Sequence, residues 1–306
     1  MPQPSQTTGV LHHIPPFTAF EPQSNGGDNI ILWIGGLYDT LHSTRYPYTL
    51  SSALPTNWCL AQLCLSSSGT QWGSSSLDKD VAEINTAVAY FRKLKPYRKI
   101  VIMGHSTGCQ DCIHYAVSPK STEGKRDEVD GIILQAPVSD REALCSFMPK
   151  EKYDAANKLA KEWLDSGRGE DFLPQACLDV FFGPISARRW LSLASPDKKG
   201  QDDYFSSDLT DEQLKASFGS IPPNTALHIM YGEKDESVPA FVDKDALVKK
   251  WTRIAEESGV KVDPQSSTLL KGASHSLNKD PDSVVDDLCS RVTKFLDMVE
   301  KHNTKL

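Results

Sequence analysis

The sequence predicts an α/β fold: a mostly parallel central sheet flanked by helices, with a helical cap inserted into it. Three observations predict it. Short apolar runs alternate with longer amphipathic stretches, the rhythm of strand and helix in a parallel sheet. That rhythm breaks between Cys145 and Pro223, where helical segments follow one another without intervening strands. A strand-turn-helix signature, Gly104-His105-Ser106-Thr107-Gly108, lies within the alternating part. The domain reading is a core made of residues 1–144 and 224–306 and a cap made of residues 145–223.

The apolar run at residues 30–34 reads as a buried strand, and residues 58–65 read as the next. Leu77, Val81, Ile84, Val88 and Phe91 then recur every three or four positions, the period of a helix with one buried face. Asp78 and Asp80 in its first turn and Lys93 and Lys95 in its last complement the helix dipole, and Pro96 stops it. A strand at 99–103, a helix at 108–117 and a strand at 131–136 follow. Beyond the insertion come strands at 226–231 and 267–270, then a helix from near Ser283 through Val284, Leu288, Val292 and Phe295. Inside the insertion, helical segments are expected at 153–164, 175–182, 186–194 and 209–218, with Thr210 and Gln213 spaced as a capping box. An insertion between parallel strands is expected over their carboxyl ends, where open α/β sheets bind ligands.

Composition removes several function classes. The chain has 306 residues, 39% of them hydrophobic, enough for a sizeable core. Its net charge of −7 argues against nucleic acid or an anionic membrane surface as partner and suits a neutral or cationic small molecule. No apolar run approaches the roughly 20 residues that cross a bilayer. The opening Met1-Pro2-Gln3-Pro4-Ser5-Gln6 lacks the basic-then-apolar pattern of a secretory signal. Seven cysteines without framework spacing predict free thiols and a cytoplasmic protein. Thr304-Lys305-Leu306 partly matches a peroxisomal address, the alternative location. Nothing in the sequence specifies an oligomeric state.

The chemistry centres on Ser106. G-x-S-x-G places a serine on a tight strand-to-helix turn with its hydroxyl above the sheet, and flanking glycines let the two backbones approach. A β-branched run precedes the motif and a helix-compatible stretch follows it, as the motif requires. A serine hydroxyl needs a base, and the motif's partners follow in the order acid, then histidine. Asp235, in the loop Gly232-Glu233-Lys234-Asp235-Glu236 after a strand, is the preferred acid. Asp140 is the fallback, and Glu233 is better placed to shape the turn. His275, in the small-residue loop after the last strand, is the base. The oxyanion donors are expected to be the backbone amides of Thr107 and Leu37, with Gly36 the alternative to Leu37. Trp163 and Trp190, with Phe181 and Phe182, are candidate walls of a substrate pocket, against the alternative of plain packing. Cys109 and Cys112 form a C-x-x-C spacing with no second pair, weak support for a metal or redox site. The reaction calls for no metal or organic cofactor.

On these motifs the chain resembles the α/β-hydrolase superfamily over nearly its whole length. Ile34-Gly35-Gly36-Leu37, Leu134-Gln135-Ala136-Pro137, Tyr204-Phe205-Ser206-Ser207-Asp208-Leu209 and Gly232-Glu233-Lys234-Asp235 make it similar to a fungal family long described as a domain of unknown function. That family includes a siderophore esterase acting on fusarinine C. The resemblance implies intracellular hydrolysis of the esters of a hydroxamate siderophore, with iron present only as part of the substrate. Such siderophores carry cationic amines, which the acids Asp39, Glu142, Asp202, Asp203 and Glu236 are expected to favour. The rival readings are a serine hydrolase of another ester or thioester, and a non-catalytic binding protein on the same fold.

Overall fold

The computed structural model describes residues 6–22, 26–94, 98–118, 126–178, 181–263 and 266–302. The helix stop at Lys95 and Pro96 and the C-terminal Thr304-Lys305-Leu306 lie outside the described residues.

All six strands expected from apolar runs are present: β3 (Asn29–Ile34), β4 (Trp58–Cys64), β5 (Ile100–His105), β6 (Gly131–Gln135), β7 (Ala226–Gly232) and β8 (Thr268–Leu270). They pair in parallel in the order β4-β3-β5-β6-β7-β8. Every residue of β3, β5, β6 and β7 is buried. This explains why those strands read as continuous apolar runs and not as alternating ones: both faces of the sheet are covered. On one face Ile30, Leu32 and Ile34 pack with α2 (Leu77–Leu94), α3 (Gly108–Val117) and α8 (Lys244–Glu257). On the other, Ile31 and Trp33 pack with α1 (Tyr46–Ala53) and α9 (Asp282–His302).

The structure adds elements that the sequence reading lacked. β1 (Gly9–Ile14) and β2 (Phe17–Pro22) form an antiparallel hairpin that extends the sheet beyond β4. Helices α1, α8 and α4 (Asp140–Phe147) are also additions, the last capped by Ser139, whose Oγ accepts from the Glu142 amide at 3.1 Å.

The residues of the expected 145–223 cap pack in two clusters. One cluster joins Leu144, Met148 and Tyr153 to Trp190 and Leu193, packing α5 (Lys150–Asp165) on α6 (Ala187–Ala194), and takes in Trp72 from outside the insertion. Downstream, Phe205, Leu209, Leu214, Phe218 and Ile221 belong to the main core instead. Phe218, just after α7 (Asp211–Ser217), stacks on Trp251 of α8 at 5.3 Å. The insertion residues in this cluster run from Met148 to Ala194, and Trp72 joins them from the core side. The Thr210–Gln213 capping box is formed. Of the expected helix at 175–182, only a short 3-10 turn, Gln175–Cys177, is present among the described residues. No helix among the described residues is long and apolar enough to cross a membrane.

Candidate active site

The motif glycines are explained by contact. A Cβ on Gly104 would lie 2.2 Å from the Gly108 carbonyl oxygen, and one on Gly108 would lie 2.4 Å from the Ile34 oxygen. The turn they permit holds Ser106 at a left-handed φ of 54°, strained for a residue with a Cβ. Its amide donates to the Gln135 carbonyl at 3.1 Å and its carbonyl accepts from the Cys109 amide at 2.8 Å. The serine is thus clamped between β6 and the first turn of α3.

Asp235 and His275 arrive from the loops after β7 and β8. The His275 Nε2 lies 2.9 Å from Ser106 Oγ. Its Nδ1 lies 2.9 and 3.0 Å from the two Asp235 carboxylate oxygens. The carboxylate only accepts, so the proton sits on Nδ1 and the Nε2 lone pair faces the serine O–H. This is the tautomer that can take the serine proton. Burial alone would lower the His275 pKa. The Asp235 hydrogen bond and charge, with help from Glu236 and Asp39, outweigh it and hold the pKa above the ordinary histidine value. The fallback acid, Asp140, is not bonded to the imidazole. It sits in the first turn of α4, accepts from Gln110 Nε2 at 2.8 Å, and is pushed up to about 7 by burial and the nearby Asp202 charge. Glu233 shapes the loop, accepting from the Gly272 amide at 2.7 Å.

The oxyanion loop lies directly against the serine: a Cβ on Gly36 would come within 2.6 Å of the Ser106 Cβ. The Gly36 amide is already used, donating to Asp39 Oδ2 at 2.9 Å. Gly36 is therefore corrected as an alternative oxyanion donor. No described residue accepts from the amides of Leu37 or Thr107, which leaves both free for a developing oxyanion.

Ser106, His275 and Leu37 line a cleft of about 350 Å³ with Val138, Asp140, Phe147, Phe181 and Glu236. Four expected substrate contacts are corrected. Asp39 does not line this cleft and instead fastens the oxyanion loop through Gly36. Glu142 is buried, and its Oε1 accepts from the Ser207 amide and hydroxyl at 3.0 and 2.6 Å. Trp190 is fully buried in the insertion, with its Nε1 donating to Asn157 at 3.2 Å. Trp163 packs at the edge of that cluster with the Arg168 guanidinium 4.2 Å over its ring. Asp202 and Asp203 are likewise taken, by Arg189 and Arg141. Glu236 does line the cleft, and it also accepts from the His275 amide at 2.9 Å. Asp140, Val138, Ala143, Leu144, Phe147 and Ser237 are the cleft residues the substrate-contact reading missed. The first was weighed only as a catalytic acid, and the helix that carries it was not recognised.

Cys109 and Cys112 are both fully buried in α3, where burial pushes their thiols well up. None of the seven cysteines is in a disulfide.

Residues 1–297 match the family described as protein of unknown function DUF1749. The chain is 35% identical to the fusarinine C esterase sidJ of Aspergillus fumigatus, over 89% of this chain and 90% of the relative. It is also similar to the structure of the siderophore hydrolase EstB from Aspergillus fumigatus, with a TM-score of 0.83 and 32% identity, covering 98% of this chain and 99% of that one. An α/β-hydrolase fold protein of unknown function gives a TM-score of 0.65 at 18% identity over the whole of both chains, a likeness of fold alone. With the parallel sheet, the strained serine turn and a family match over nearly its full length, the chain has the α/β-hydrolase fold and belongs to the DUF1749 family.

Proposed function

We propose that this protein is a serine esterase that hydrolyses the ester bonds of a hydroxamate siderophore of the fusarinine C type. The observation that carries the esterase reading is the continuous relay from Ser106 through His275 to Asp235, with each link at 2.9 Å. The substrate class rests on the relatives named for fusarinine C and siderophore hydrolysis. Ser106 Oγ attacks the ester carbonyl while His275 Nε2 takes its proton. The Leu37 and Thr107 amides hold the oxygen that becomes negative. His275 then protonates the leaving alcohol and afterwards takes a proton from the water that releases the acid. Asp235 keeps the imidazole oriented and stabilises it when charged.

The cleft favours a cationic substrate. Among the described residues that line it, Glu236 and Asp140 are acidic, the latter pushed up to about 7 and so only partly charged at neutral pH, and none is a lysine or arginine. Acetylating the amines of the siderophore is expected to raise KM while kcat holds. Unchanged kinetics would remove the charge argument and leave the esterase intact. The proposed setting is the cytoplasm, where hydrolysis would release iron from its ferric chelate. Seven cysteines that form no disulfide support a reducing compartment.

The pH dependence follows from the base. His275 acts only when neutral, and its pKa is raised, so kcat/KM on an aryl ester should fall as pH drops through a midpoint above 6.5. The groups facing it are Asp235, Glu236, Asp39, Asp140 and the neutral His105. A pH–rate profile with its acid limb below 6.5 would contradict this assignment.

The deciding experiment compares the wild type with Ser106→Ala on ferric fusarinine C and on a simple aryl ester, reading linear products by mass spectrometry. Wild-type cleavage of both, lost in the variant, is expected. Cleavage of the aryl ester alone retains the hydrolase and discards the siderophore assignment.

A further inference from the structure

The sheet face that packs on α1 and α9 is apolar along its strands: Ile31 and Trp33 on β3, Val101 and Met103 on β5, Ile133 on β6. By strand alternation the next positions on that face are His105 and Gln135. They are register partners, and they are 3% and 0% exposed. Two polar side chains in such a place are costly unless fully paired.

Their pairing leads to the base. Gln135 Nε2 donates to the His275 carbonyl oxygen at 3.3 Å. That carbonyl can only accept, so the Gln135 amide has one possible orientation, with Oε1 turned to His105 Nδ1 at 2.5 Å. His105 must then carry its proton on Nδ1. The ring stacks on Trp33 and lies 5.1 Å from the His275 ring. Burial, then the neighbouring His275, pulls the His105 pKa down to about 4, so no second cation meets the imidazolium formed during turnover. On the other side of the same residue, the His275 amide is held by Glu236. The base is thus anchored at both its N–H and its C=O.

We propose that Gln135 is a positioning residue for the catalytic base, and that His105 beneath it fixes the Gln135 amide in the orientation that grips the His275 carbonyl. This rests on the serine-esterase reading above and adds two residues to it. The chain of donors runs one way, from His105 to Gln135 to His275, and sets the loop height that keeps Nε2 within reach of Ser106. A loss of grip shifts the imidazole without touching the substrate, so kcat falls and KM stays. A misplacement near 1 Å is enough for a loss of about 100-fold.

The test uses the full chain and an aryl ester, with active serines titrated by a fluorophosphonate so that kcat is counted per working site. Gln135→Met keeps the volume and removes both hydrogen bonds. It is expected to lower kcat about 10- to 100-fold with KM within about twofold of wild type. His105→Asn places an amide donor near the position of Nδ1, whereas His105→Phe keeps the stack on Trp33 without a donor. Positioning predicts that Asn retains more kcat per titrated site than Phe, and packing alone predicts the reverse order. The proposal is overturned if Phe equals or exceeds Asn, or if Gln135→Met stays within twofold of wild type. Should wild-type Ser106 fail to label at all, the esterase reading falls and this inference falls with it. Normal labelling with an unaffected Gln135→Met sinks this inference alone.

Discussion

Ser106→Ala is expected to lower turnover about 10⁴- to 10⁶-fold with the fold intact. The substitution removes one oxygen, whose recorded side-chain partner is His275 Nε2. The left-handed turn, at φ 54°, strains Ala no more than Ser, and the clamping bonds to Gln135 and Cys109 are made by backbone atoms. Stability should therefore change little while the nucleophile disappears. The residual rate should reflect the Leu37 and Thr107 amides and the cleft alone. The measurement is kcat on an aryl ester beside a thermal melt. A variant within tenfold of wild type, with an unchanged melt, would show that Ser106 is not the nucleophile.

Asp235→Asn is expected to cost about 10⁴-fold in kcat, for a reason specific to this loop. Asp235 Oδ1 accepts from the Ser237 amide at 2.9 Å as well as facing His275 Nδ1. An asparagine that keeps its oxygen on the Ser237 amide turns its NH2 group toward Nδ1. Nδ1 must then accept, the proton moves to Nε2, and the ring presents a donor to a serine that needs an acceptor. The geometry is nearly unchanged while the tautomer is wrong. The check is kcat per fluorophosphonate-titrated site, with labelling itself slowed in parallel. Retention of more than about a tenth of wild-type kcat would mean that another group orients the imidazole, and Asp140 would be the one to test.

The three side chains of the proposed relay were legible in the sequence because their constraint is local. Ser106 is bracketed by glycines that a strand-to-helix contact demands, and Asp235 and His275 each follow a strand at the sheet edge where loops converge. The oxyanion loop was readable only to within one residue. Which of Gly36 and Leu37 offers its amide depends on where the Asp39 carboxylate goes, and that is settled by folding. The same holds for the acids. Glu142, Asp202 and Asp203 look like any solvated carboxylate in a sequence, yet each is spent on a partner about ten to 65 positions away or on a distant arginine. Trp190 was misplaced because an aromatic residue on a helical period signals burial without saying against what. Gln135 and His105 stand at strand ends, and their use required knowing that β5 and β6 are neighbours in register.

The insertion packs into an apolar cluster distinct from those on the two faces of the sheet, joined from the core side by Trp72 and flanked by Leu37 and Tyr38. Elements that cohere separately can open separately, at a cost below that of global unfolding. Phe181 and Leu144 belong to this cluster and also wall the cleft, so loosening of this unit would widen the way to the serine and also touch Leu37, while the sheet and the Ser106–His275–Asp235 relay lie outside it. Evolution could then retune which esters are admitted by altering the insertion alone, leaving the chemical machinery and the durability of the main body untouched.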